Sequence, residues 1–144
     1  MKQKILSPLE LELNDLLSEG YRMWECFGLI PLDEMEKHVV IAQAAHACHT
    51  ECHTKEYAAA CQCFFLYRKL HHMVDHMPDK ATLLGDYYFS QFSQFLIPID
   101  SPKLIDLFSE YLKKDTKLAV NGSYEFDMNS YLDFITLAAE EIGL

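Results

Sequence analysis

The run from Tyr57 to Leu66 constrains this chain more than any other feature. Laid on a helix it is apolar on nearly every face, and Val39, Val40, Ile41, Ala42, Ala44, Ala45 and Ala47 form a second run of the same kind. Helices without a polar face are buried on every side rather than lying on a surface. Both runs therefore need other helices around them.

The rest of the sequence supplies those helices. Leu9, Leu11, Leu13, Leu16 and Leu17, followed by Tyr21, Met23, Trp24 and Phe27, predict a first helix that breaks near Gly20 or ends at Gly28. Pro31 and Asp33 punctuate a restart at Glu34. Pro78 stops a third helix near Met77, Asp79 caps a fourth over Lys80 to about Leu96, and Pro98 ends that one. Ser101 ahead of Pro102 reads as an N-cap followed by proline at the first helical position, and Leu104, Ile105, Leu107, Phe108, Tyr111 and Leu112 then share one stripe. Beyond a loop at Asn121-Gly122-Ser123, a last helix carries Tyr131, Leu132, Phe134, Ile135, Ala138 and Ile142. About six helices, no strand and no internal repeat predict an all-α fold, a single helical bundle over residues 1–144.

Composition agrees. A chain of 144 residues is long enough for one core, and five Gly with five Pro leave few turns. Twelve Lys and Arg against 22 Asp and Glu give a formal charge of -10, which repels phosphate backbones and anionic headgroups. Nucleic acid is thus excluded as an expected partner. A free diphosphate would need a local cluster of cations. The N-terminal stretch Ser7-Pro8-Leu9-Glu10-Leu11-Glu12 is interrupted by carboxylates, and no apolar segment reaches signal-peptide or membrane-span length. Cys26, Cys48, Cys52, Cys61 and Cys63 form an odd set without disulfide spacing, which predicts a reducing, cytoplasmic environment.

Two histidine clusters are candidate metal sites. His46, His49 and His53 recur at three and four residues and would share a helix face, with Cys48 and Cys52 on the flank. His72 and His76 have the i, i+4 spacing that can bridge one ion, with His71 and Asp75 beside them. The competing reading is that they fill space and bond locally, since no Cys-x-x-Cys, His-Glu-x-x-His or Glu-x-x-His pattern is present. Cys61 and Cys63 lie in the most apolar run, where burial raises a thiol pKa and suppresses the nucleophilic thiolate. The fourth helix carries Tyr87, Tyr88, Phe89, Phe92 and Phe95 around more than one face, a candidate interface with a second helical subunit.

The segment Asp79-Lys80-Ala81-Thr82-Leu83-Leu84-Gly85-Asp86-Tyr87-Tyr88-Phe89-Ser90 resembles a landmark of the trans-polyprenyl diphosphate synthases, an Ala-x-Leu-x-Gly-Asp-Tyr-Leu-like string that follows their first aspartate-rich motif. Ahead of it, Phe65-Leu66-Tyr67-Arg68-Lys69-Leu70 stands where the family has the helix leading into that motif, and His71-His72-Met73-Val74-Asp75 falls where Asp-Asp-x-x-Asp would be. Leu66 and Tyr67, shortly before His71, occupy the place where the family limits chain length by side-chain bulk. Ser101 to Lys114 and Asn129 to Gly143 are similar to the helices that follow. The likeness runs from about Glu36 onward and matches only the N-terminal half of a full-length synthase.

The departures from the family pattern carry the functional expectation. The family's first aspartate-rich motif holds the magnesium ions that carry the allylic diphosphate, because a hard cation prefers oxygen ligands. His71 and His72 replace two of the three carboxylates and leave Asp75, and no counterpart of the paired arginines or of the Gly-Lys-x-x-Arg-like clamp near Lys37-His38 is complete. A short chain with every diphosphate contact degraded is similar to the small, non-catalytic subunit of the heterodimeric bacterial hexaprenyl and heptaprenyl diphosphate synthases. The resemblance implies a catalytic large subunit as partner, Mg2+ only in that partner, and a part in making a precursor of quinone side chains such as that of menaquinone. In isolation a homodimer is a further expectation.

Overall fold

The computed structural model describes residues 7–71, 78–120 and 126–144, and these form six α-helices with no strand among them. They are α1 (Pro8–Cys26), α2 (Glu34–Ala47), α3 (Thr54–His71), α4 (Pro78–Leu96), α5 (Pro102–Val120) and α6 (Met128–Ile142). The all-α bundle expected from the apolar spacing is the observed architecture. None of the described helices is long and apolar enough to cross a membrane. The expected loop at Asn121-Gly122-Ser123 and the expected helix end near Met77 lie outside the described residues.

Local chemistry accounts for most boundaries. The Ser7 hydroxyl accepts from the Glu10 amide at 3.2 Å, with Pro8 opening α1. Asp33 and Glu36 form a reciprocal capping box at the start of α2, at 2.7 and 3.3 Å. Ser101 accepts from the Leu104 amide at 3.2 Å, as its place before Pro102 predicts. Asp127 accepts from the Ser130 amide at 3.2 Å, and Gly143 ends α6 in the left-handed region at φ 78°, a conformation glycine adopts without a Cβ penalty.

One expectation is settled between its alternatives and one needs correction. Helix α1 ends at Cys26 just before Gly28, which adopts φ 71°, and runs unbroken through Gly20, where the Tyr88 ring of α4 lies against the backbone and a Cβ would come within 2.8 Å of the Tyr88 hydroxyl. Helix α4 begins at Pro78, so Asp79 lies in its first turn, where a carboxylate favours the positive end of the helix dipole, instead of capping it.

Helix α3 is the axis of the fold. Every residue from Tyr57 to Leu66 is buried, and α3 packs against α1, α2 and α4. Helix α2 differs from its apolar pattern: Val40, Ile41, Ala44 and Ala47 are buried, whereas Ala42 is exposed and Val39 and Ala45 are half-buried. Its alanines let it sit close to α3 and α6 with one side open to solvent. At the centre, the Phe64 ring lies 5.1 Å from both Phe92 and Phe108 and stacks on Tyr131 at 5.9 Å, in the offset and edge-on geometries aromatic quadrupoles favour. Several polar side chains brought into this core are bonded to backbone carbonyls. Tyr131 donates to the Cys61 carbonyl at 2.6 Å, Tyr57 donates to the Ile135 carbonyl, and Gln62 donates to the Glu36 carbonyl at 3.0 Å and to the Tyr21 hydroxyl at 3.2 Å.

The contact at Gly20 generates a test. Alanine at Gly20 should lower stability in urea unfolding by about 1–2 kcal/mol, because overpacking against a buried ring outweighs the helix-propensity gain. The loss should shrink when Tyr88 is changed to phenylalanine, since this removes the hydroxyl that a Cβ meets first and that has no hydrogen-bond partner among the described residues.

Candidate functional site

The candidate site lies where the end of α3 meets α4. Tyr67 joins the two family-like segments: its ring is 6.5 Å from His71 on its own helix and 5.0 Å from Phe89 on α4, and a Cβ at Gly85 would meet its Cδ1 at 3.9 Å. The fold thus sets His71, Gly85 and Phe89 around one aromatic ring. His71 and Asp86 are exposed, Gly85 is buried, and Tyr87 is half-buried with its ring edge-on to Tyr88 at 5.3 Å. His72, Asp75 and His76 lie outside the described residues.

Charge at this end of α3 is mostly internal to the fold. Arg68 is 1% exposed and donates from Nε to the Asp115 carboxylate of α5, itself 4% exposed, while the guanidinium sits 5.7 Å from the Tyr67 ring. Its Nη2 is buried with no hydrogen-bond partner among the described residues. Lys69 pairs with Glu36 of α2, and burial lowers its pKa. Burial, and then the Arg68 charge, lower the pKa of His71, with Asp115 opposing. The described titratable groups here are thus an imidazole held toward neutrality beside a guanidinium paired with Asp115, with the Asp86 carboxylate exposed on α4.

The first histidine cluster does not form the shared face its spacing predicts. Helix α2 ends at Ala47, Cys48 is extended, and α3 starts only at Thr54, so His46 closes one helix while His49 and His53 lie in the connection. The physical cause is a backbone bond from the His49 amide to the Leu144 carbonyl at 2.8 Å, which ties the connection to the buried C-terminal residue instead of continuing the helix. An open cavity of about 670 Å³ lies beside this connection, lined by Cys48, His49, Cys52, Glu12, Lys55 and Glu56 among others. Among the described residues no group of three His, Cys, Asp or Glu side chains could hold a metal ion.

The aromatic row of α4 is divided by the packing. Tyr88 and Phe92 are buried, Tyr87 and Phe95 are half-buried, and Phe89 remains 39% exposed. Phe89 stands at the edge of a feature the apolar spacing did not reveal, a groove of about 400 Å³ between α4 and α5. Phe64, Phe92 and Phe108 line it together with Leu96, Ile97 and Ile105. One signal was present in the sequence: no charged residue occurs between Tyr87 and Ile99, in a chain of which 24% is charged.

Burial pushes the Cys61 and Cys63 thiols well up, as their apolar run predicts. Cys26 and Cys52 are exposed, so alkylation of the native protein at pH 8 should modify these two first and reach Cys61 and Cys63 only on unfolding, as read by mass spectrometry. Asp115→Ala should cost about 3–5 kcal/mol in thermal or urea unfolding, because it leaves a buried guanidinium unpaired. The double change Arg68→Met with Asp115→Leu should recover most of that loss.

Compared with protein-family models, with curated proteins and with solved structures, the chain has no match.

Proposed function

We propose that this chain is a non-catalytic auxiliary subunit of a trans-prenyl diphosphate synthase. It pairs with a catalytic large subunit and supports synthesis of a medium- or long-chain prenyl diphosphate used for quinone side chains. The observation that carries the reading is the juxtaposition at Tyr67. Gly85 of the family-like string packs against Tyr67 near the end of the helix that would lead into an aspartate-rich motif, and His71 stands where the family pattern has its first carboxylate.

The chemistry follows from the replacement of motif carboxylates by His71 and His72. Ionisation of an allylic diphosphate needs its charge neutralised, and in this reading the Mg2+ ions and both aspartate-rich motifs belong to the partner. This chain supplies helical surface that stabilises the partner and helps bound the space in which the product grows. Its charge of -10 opposes any unaided capture of a free diphosphate.

Co-expression with candidate large subunits, followed by turnover and product-length analysis, tests the pairing. Turnover should rise by at least about tenfold, or the product length should change, when this chain is present; a factor of ten corresponds to about 1.4 kcal/mol of barrier. Identical turnover and product length with and without the chain would refute the reading. Condensation of isopentenyl diphosphate by the isolated chain would refute its non-catalytic part.

A further inference from the structure

We propose that the groove between α4 and α5 is the docking site for an amphipathic helix of a partner protein, one that presents an apolar stripe flanked by lysine or arginine. The partner's identity as a synthase subunit rests on the function proposed above, whereas the chemistry of the groove stands on its own observations.

The groove is built for an apolar side-chain row. Its floor is aromatic, from Phe64, Phe92 and Phe108, and its walls leave Phe89 39%, Ile97 72% and Ile105 51% exposed. Large apolar side chains in that state, clustered along one cleft, mark a surface that is better buried. Ser93 on α4 and Ser109 on α5 also line it, small residues that admit a close helical ridge. Helices enter such grooves through anchors at i, i+3 or i+4 and i+7.

Charge selects among possible occupants. Asp86 lies three residues before Phe89 and seven before Ser93, on the same stripe of α4. Asp100, in the turn that closes the α4–α5 hairpin, lines the groove directly with φ 53°, and Asp106 and Glu110 follow Ile105 and Ser109 along the flank of α5. Of the four lysines of α5, Lys113 pairs with Glu110 at 3.3 Å and Lys103 with Glu141 of α6 at 3.3 Å, while Lys114 is exposed, forms no ion pair among the described residues and lies two positions past Leu112, the last groove residue on α5. Lys117 lies beyond the end of the groove at Leu112. Asp86, Asp100 and Asp106 form no ion pair among the described residues. An apolar cleft with an acidic rim is complementary to a helix with basic flanks. A second copy of this chain would bring the same carboxylates and a further charge of -10 against that rim, and an anionic lipid surface would be repelled by it.

The test is a titration of the full chain with a labelled helical peptide of about five turns, carrying leucines on one stripe and lysines on its flanks, at low ionic strength. Fluorescence anisotropy should show binding, and backbone amide shifts should concentrate on residues 86–112. A peptide with glutamates in place of the lysines should bind at least about tenfold more weakly, as should the wild-type peptide to the Ile105→Glu and Ser93→Glu variants. Both substitutions are at exposed positions, and circular dichroism of each variant checks that the fold is retained. The Asp106→Lys variant should weaken the lysine peptide and narrow its advantage over the glutamate peptide.

Four results overturn the proposal: no binding, equal affinity for wild type and both glutamate variants, shifts concentrated away from α4 and α5, or a stable homodimer of the free chain dissociated by Ser93→Glu. The two readings fail separately. A synthase subunit whose turnover depends on this chain, and still depends on it to the same extent in Ile105→Glu, removes the groove and leaves the function. Groove-specific peptide binding with no effect of this chain on any synthase subunit removes the function and leaves the groove.

Discussion

Burial of α3 on every side is the constraint on which the other helices depend. A segment running from Tyr57 to Leu66 without an exposed residue needs neighbours in several directions, and α1, α2 and α4 pack against it directly. Aromatic contacts extend this wrapping to α5 and α6, through Phe64 against Phe108 and Tyr131. Fully burying one large apolar side chain is worth roughly 1.5–3 kcal/mol, so Tyr57, Phe64, Phe65 and Leu66 together outweigh any single polar contact in the structure.

A central helix so enclosed has to satisfy whatever polar groups it carries inward. The Gln62 amide NH2 does so through Glu36 and Tyr21 and Arg68 Nε through Asp115, while Gln62 Oε1 and Arg68 Nη2 find no partner among the described residues. The second case couples helices distant in sequence, because a buried guanidinium without its carboxylate is costly while the pair is close to neutral against an apolar substitute. Arg68 and Asp115 therefore act more as a specification of how α5 sits on α3 than as a large stabilising term. The same arrangement removes Arg68 from the surface at the point where the family-like segments meet, which leaves His71 as the exposed group at the end of α3.

Much of the fold was legible from residue order. Apolar spacing, together with Ser7, Asp33 and Ser101 at helix starts, predicted six helices and several of their boundaries because caps and stripes are local chemistry. What residue order left open or misplaced has tertiary causes. Gly20 reads as a helix breaker in isolation and is instead a contact point for Tyr88, while the shared face expected of His46, His49 and His53 was dissolved by a bond to Leu144, nearly a hundred residues away. The candidate site was half legible: the Gly85-Asp86-Tyr87 string and His71 could be singled out, but their meeting through Tyr67 depends on how α3 and α4 pack.

By itself, then, the sequence determined an acidic, all-helical chain with two apolar runs that call for enclosure, of which the tertiary structure encloses only α3 on every side, since hydrophobic periodicity and charge are properties of composition and order. The tertiary structure alone decided which aromatic residues of α4 are spent on the core and which remain at the surface. Tyr88 packs on Gly20 and Trp24 of α1 and Phe92 on Phe64 of α3, while Phe89 stays at the cleft that α5 borders from the other side. A helical stripe records that a face is apolar, and only the placement of its neighbours settles how much of that face is left uncovered.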